Sequence, residues 1–196
     1  MRVRTVLACV LAAAPLAALA QLPPPPPALP DPANGFLCCN MRTDGSWISD
    51  SNYFSIDKKV IPLGTPVKAL GYGRQRVYVE FADGKQAIGN DYSRNLNLTA
   101  FARRYIVAED PRQKLAGYPP RIRKAIEAGR LVPGMTREQV IMAVGYPISS
   151  ENPDLNAPVW RYWLSTWAEY QVMFGPDNLV KEIGTDAQTR GFVLMD

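Results

Sequence analysis

Gly134-Met135-Thr136-Arg137-Glu138-Gln139-Val140, closed by Gly145-Tyr146-Pro147, is the stretch that decides the fold of the C-terminal half. Thr136 carries the hydroxyl of a helix N-cap. Gln139 follows three residues later, the spacing of a capping box in which each side chain satisfies the other residue's backbone N–H. Val140, Ile141 and Val144 recur at helical spacing and predict one apolar stripe. Gly145 can take the left-handed backbone that ends a helix, and Pro147 prevents a restart.

Three apolar runs follow, Pro158 to Ser165, Tyr170 to Phe174 and Leu179 to Ile183. Strand alternation puts Trp160, Tyr162 and Leu164 on one face of the first run, and Tyr170, Val172 and Phe174 on one face of the second. Gly175-Pro176-Asp177-Asn178 is a turn, and consecutive strands with short turns pair as an antiparallel meander. Upstream, Pro119 and Pro120 suit the first turn of a helix. Ile122, Ala125 and Ile126 mark its apolar side, Arg121, Arg123, Lys124 and Glu127 its polar side, and Gly129 its end. Residues 119–196 are therefore expected to lay two helices on a three-stranded antiparallel meander.

Residues 96–118 read as a helical connector. Leu98 to Val107 predicts a helix with Phe101, Tyr105 and Ile106 on one side, ended by Asp110-Pro111. Residues 36–95 read as a small all-β domain. Arg76 to Phe81 alternates, with Val77, Val79 and Phe81 facing one way. Asp83-Gly84 is expected at the centre of a hairpin turn, with Gln86 to Ile88 as the return strand. Pro62 and Pro66 fit an edge or a strand start. Short strands at this spacing suggest a small barrel or sandwich, and the pattern resembles a bacterial barrel of the Src-homology-three type. The expected fold class is α+β.

The N-terminus reads as targeting sequence. Arg2 and Arg4 precede an apolar run, and Ala18-Leu19-Ala20 is a small-x-small cleavage site, so residues 1–20 are expected to be a signal peptide. The apolar stretch before Cys9 is shorter than the roughly 7–15 residues of a signal core, which argues against lipidation at that cysteine. Residues 21–35 form a proline-rich linker, with Pro23 to Pro27 consecutive. Such a run holds polyproline II at about 3.1 Å per residue and does not join a packed core. No later stretch approaches the ~20 apolar residues of a membrane span.

The 196-residue chain carries a formal charge of +4, which falls to +2 when Arg2 and Arg4 leave with the leader. That is too small and dispersed to point to nucleic acid. The chain has no His, which rules out Ser-His-Asp and Cys-His catalysis and His-containing zinc sites. Neither standard phosphate-binding glycine pattern is present. Nothing in the spacing brings two carboxylates together. The expectation is a non-enzymatic protein without cofactor or metal.

The helix, helix, three-strand unit resembles the BamE (SmpA/OmlA) family of envelope proteins. The resemblance runs from Pro119 to Ile183, about a third of the chain. It is carried by Val132-Pro133-Gly134-Met135-Thr136-Arg137-Glu138-Gln139-Val140 and Ala143-Val144-Gly145-Tyr146-Pro147. Trp160-Arg161-Tyr162, Tyr170-Gln171-Val172-Met173-Phe174 and Leu179-Val180 support it. Its motif residues here are Gly134, Met135, Thr136, Val140, Gly145, Pro147, Trp160 and Tyr162. The resemblance implies a periplasmic, Gram-negative setting, association with the outer membrane, and a partner among envelope proteins such as the outer-membrane β-barrel assembly machinery. Two features depart from the small assembly member: this chain lacks its lipidated cysteine and adds the N-terminal β domain.

Two sets of residues stand out as candidate sites. Alternation puts Trp163 and Arg161 on the open face of the meander with Gln171 and Met173, and Trp, Arg and Met are enriched at protein interfaces. The alternative is that the N-terminal domain covers this face. Cys38 and Cys39 are the only cysteines left after the leader. Their Cα atoms are about 3.8 Å apart, short of the roughly 4.4–6.8 Å of a relaxed disulfide. They are open to three readings: two small buried hydrophobes, a strained redox-active pair, or intermolecular bridges. Binding through Trp163 makes the chain an envelope adaptor. The pair makes it a periplasmic thiol-disulfide protein, and the β domain alone could bind cell-wall polymer.

Overall fold

A computed structural model describes residues 33–195. The expected leader 1–20 and residues 21–32 of the proline-rich stretch lie outside the described residues. The described chain is mixed α+β, with several sheets and five helices, one of them 3₁₀.

The first half builds a curled, half-closed barrel sheet. Its strands are β1 (Asn34–Leu37), β3 (Trp47–Ser49), β5 (Pro66–Gly73), β6 (Arg76–Phe81), β7 (Gly84–Gly89) and β8 (Ile106–Val107), in the order β3-β7-β6-β5-β1-β8. β2 (Met41–Thr43) and β4 (Lys59–Ile61) form a separate antiparallel ribbon. The alternation read in Arg76 to Phe81 holds: Val77, Val79 and Phe81 are buried and Tyr78 is exposed. Pro66 opens β5, where no ladder N–H is needed. The β6–β7 turn sits one residue earlier than expected. Phe81 pairs with Gly84, so Ala82-Asp83 is the turn and Gly84 adopts φ +139°.

The helix expected over Leu98 to Val107 stops sooner. α1 spans Leu98–Tyr105, capped by the Asn97 side chain, and Ile106–Val107 leave it to pair with β1. Two β-branched residues in succession favour the strand. A 3₁₀ helix, Pro111–Gly117, follows.

The second half contains α2 (Pro120–Glu127), α3 (Arg137–Val144), β9 (Val159–Ser165), β10 (Ala168–Phe174), β11 (Val180–Gly184) and α4 (Ala187–Val193). The three strands form an antiparallel sheet with β10 central. α3 has the capping box read from sequence: Gln139 N–H donates to Thr136 Oγ1 at 3.3 Å, and Thr136 N–H to Gln139 Oε1 at 2.9 Å. Trp160, fully buried, centres a core with Ile126, Met135, Val140 and Val172. Burying each such side chain contributes roughly 1.5–3 kcal/mol.

α3 is buried on more than the single stripe expected. Met142 and Ala143 are buried with Val140 and Val144 in the core that Leu63 of the first half also joins, and Ile141, expected in the stripe, is half-buried and packs against the cores of both halves. Two buried asparagines make that seam. Asn40 donates through Nδ2 to the carbonyls of Ile126 (2.6 Å) and Ala143 (3.2 Å), and its Oδ1 accepts from Leu63 N–H at 3.0 Å. Its backbone N–H donates to the Met142 carbonyl at 3.1 Å. Asn52, held at φ +52°, donates to the carbonyls of Val144 (2.9 Å) and Asn40 (3.0 Å). Gly145 N–H takes the Ile141 carbonyl, and the Tyr162 hydroxyl donates to the Gly145 carbonyl at 3.1 Å. The carbonyls at the C-terminus of α3 are thus satisfied largely from outside the helix, as burial requires.

Candidate functional site

The second sheet has one covered and one open face. Trp160, Tyr162, Tyr170, Val172, Phe174, Val180 and Ile183 belong to the core shared with α2 and α3. Alternation turns Val159, Arg161 and Trp163 of β9 and Gln171 and Met173 of β10 the other way. Register brings them together: Arg161 pairs with Gln171, Val159 with Met173, and Trp163 with Glu169. All four residues singled out from sequence therefore share one face. Arg161 and Val159 are exposed, and Trp163, Gln171 and Met173 are half-buried.

Trp163 is steadied from the side. Its indole Nε1–H donates to Glu151 Oε2 at 3.0 Å. Arg161 Nε lies 3.9 Å from Glu151 and 3.7 Å from Glu169. Exposed pairs of this kind contribute little to stability, roughly 0–1 kcal/mol. Their effect is to fix where the guanidinium and indole point. The Met173 methyl lies close over Gly184, where a Cβ would come within 3.1 Å of it. A shallow hollow of roughly 350 Å³ opens between Glu151, Val159, Arg161 and Gln171. The surface is mixed: Arg161 and Gln171 are paired at its middle, with Trp163 and the Val159–Met173 pair on either side, and Trp, Arg and Met are residue types enriched at protein interfaces.

The motif residues do structural work. Gly134 and Gly145 adopt φ +88° and +86°, Met135 and Val140 are fully buried, and Thr136 caps α3. Pro147 follows the chain reversal. Trp160 and Tyr162 lie in the core, where burial drives the Tyr162 hydroxyl well above its ordinary pKa.

The cysteine pair occupies a second place. Cys38 and Cys39 are bonded to each other. Cys38 lines a cleft of roughly 590 Å³ between the two halves, and Cys39 is fully buried behind it. Its other walls come from the segment after β8, from the 3₁₀ helix and from α3. No local signal in the sequence announced this cleft, because its walls are three segments far apart in the chain.

A buried carboxylate was also missed. Asp50, 1% exposed, accepts from the Tyr92 and Asp91 amides at 3.1–3.2 Å and ties the loop before α1 to the end of β3. Burial pushes its carboxyl up to about 6, against the pull of those hydrogen bonds.

Among the described residues no group of three or more His, Cys, Asp or Glu could hold a metal ion, and no helix is long and apolar enough to cross a membrane. Comparison with protein-family models, with curated proteins and with solved structures gives no match. The functional reading therefore rests on the residues and geometry described above.

Proposed function

We propose that this chain is an exported, non-enzymatic adaptor of the Gram-negative envelope that binds a protein partner through the open face of β9 to β11. The observation that carries this reading is the convergence of Trp163, Arg161, Gln171 and Met173 on one accessible sheet face, with Trp163 and Arg161 oriented by Glu151. Aromatic and Arg side chains in such a setting are the usual anchors of protein recognition. The likeness of residues 119–183 to the BamE family supports the same setting. It suggests components of outer-membrane β-barrel assembly as partners. In this reading the chain is a small β domain over residues 36–95, a connector over 96–118 and a BamE-like unit over 119–196. The two halves act as one body because Asn40 and Asn52 bind them along α3.

The test is in-cell crosslinking of a C-terminally tagged chain, with mass spectrometry of what co-purifies. Enrichment of barrel-assembly components, lost in Trp163→Asp with the fold retained, supports the adaptor. Equal enrichment in the variant refutes the binding face, and absence of those components refutes the assembly link. Deleting the chain is expected to sensitise cells to large hydrophobic antibiotics. Unchanged permeability counts against the reading.

A further inference from the structure

The cleft over the cysteine pair lies apart from the sheet face proposed above. Its floor is apolar and soft, made by Cys38 with Ile141, Met142 and Tyr146. A volume of roughly 590 Å³ falls in the range of small-molecule sites, about 300–1,000 Å³. Of the two bonded cysteines only Cys38, 7% exposed, borders it, while Cys39 is fully buried, which makes Cys38 the side of the bond nearer an incoming group. The rim is mainly acidic. It bears Glu109, Asp110 and Glu138 against Lys114, and Lys114 is paired with Glu138. Asp110 is held by the neighbouring Arg112 guanidinium, which leaves Glu109 as the rim carboxylate without an ion pair among the described residues.

We propose that the cleft is a thiol-exchange port, through which a small dithiol lacking carboxylates reaches Cys38 and exchanges with the Cys38–Cys39 bond. The dithiol's thiolate attacks Cys38 Sγ. A mixed disulfide forms, the Sγ–Sγ bond breaks, and the electron pair leaves on Cys39 Sγ, which takes up the proton released by the incoming thiol. The dithiol's second sulfur then attacks its own partner in the mixed disulfide. Cys38 Sγ leaves with the electron pair and takes up the proton released by that second thiol, and the dithiol departs as a cyclic disulfide. Two electrons pass from the dithiol to the cysteine pair. The backbone around the pair is held on both sides, by Cys38 N–H to the Tyr105 carbonyl and by Asn40 N–H to the Met142 carbonyl. That anchorage keeps the reduced sulfurs within reach of each other, so the bond can close again when the dithiol pool is oxidised.

The experiment measures reduction of the folded chain by dithiothreitol, with alkylation and mass spectrometry to count thiols, across sub-denaturing urea. Attack through the port predicts a rate that barely changes with urea. It also predicts a slowing of at least about fivefold in Ala108→Trp, an exposed cleft position where the new ring would obstruct entry without disturbing the core. Reduction of the urea-unfolded chain should be the same in both proteins. Cysteamine should outpace glutathione by a wider margin on the folded chain than on the unfolded one, since the acidic rim repels glutathione. A rate that climbs steeply with urea shows that the bond is reached only by global unfolding and overturns the proposal. An Ala108→Trp variant reduced as fast as the parent overturns it as well.

Discussion

Asn40→Ala tests the seam between the two halves. The substitution removes the two Nδ2 bonds to the Ile126 and Ala143 carbonyls and the bond that Oδ1 accepts from Leu63. It strands the Ala143 carbonyl and the Leu63 N–H, whereas the Ile126 carbonyl keeps the Gly129 N–H at 3.0 Å. Asn40 is 4% exposed, so water does not replace the lost partner. Each unpartnered buried polar group costs roughly 1–3 kcal/mol, and the two together give a loss of roughly 2–6 kcal/mol. Whole domains are stable by only about 5–15 kcal/mol, so this is a large share. At about 2–4 °C per kcal/mol for a chain of this size, the midpoint should fall by roughly 4–24 °C. The assay is urea unfolding followed by tryptophan fluorescence, which reads Trp47 in the first half and Trp160 in the second. A single transition is expected to persist, moved to lower urea. Asn52→Ala should lower stability too, and because Asn52 donates to the Asn40 carbonyl, the double variant should depart from additivity by more than about 0.5 kcal/mol. A loss below about 1 kcal/mol in Asn40→Ala, with an unchanged urea slope, would refute the reasoning.

Other expectations concern single groups. With the Asp50 carboxyl pushed up to about 6 from 3.8, the folded chain holds a proton between about pH 4 and 6 that the unfolded chain has released. The stability owed to this group therefore falls as pH rises through that window. About two pKa units at 1.36 kcal/mol each make the fall about 3 kcal/mol, and Asp50→Asn should remove it from urea midpoints measured across pH 4–7. Thr136→Ala should cost about 1 kcal/mol through loss of the α3 cap, read by thermal melts. Gly134→Ala and Gly145→Ala both place a side chain at positive φ. At Gly134 the Cβ meets open space, whereas at Gly145 it would press on Met41 Sδ at 3.3 Å and Asn52 Nδ2 at 3.4 Å. Gly145→Ala should be the more damaging of the two, and equal melting temperatures would contradict that.

The sequence carried the local features well. The cap of α3, its glycine stop, the three strands after Pro147 and the alternation in β6 were legible because each depends on residues within a turn or a strand of one another. The open-face residues followed from the same period of two. What was not legible depends on distant partners. The parallel pairing of β3 with β7, the capture of Ile106–Val107 by β1 and the cleft beside Cys38 leave no local trace. Nothing near them in the chain singles out Asn40 and Asn52, because their bonds to α3 span about a hundred positions. α4 carries only a weak local signal. Asp186 caps it through Gln188 and Thr189, but Gly191 and the short span weaken any helical pattern.

The outer edge of β9 bears on how a partner could dock. Asn152, itself buried, mimics a neighbouring strand: its Oδ1 accepts from Arg161 N–H at 2.8 Å and its Nδ2 donates to the Arg161 carbonyl at 3.0 Å. Phe54 N–H takes the Leu164 carbonyl farther along. Both are main-chain positions that an added strand would need. A partner peptide therefore cannot extend this sheet at β9 by main-chain pairing unless it first expels Asn152 and Phe54. The same plug guards the chain against joining its sheets edge to edge with other copies, a hazard of open β edges at high concentration.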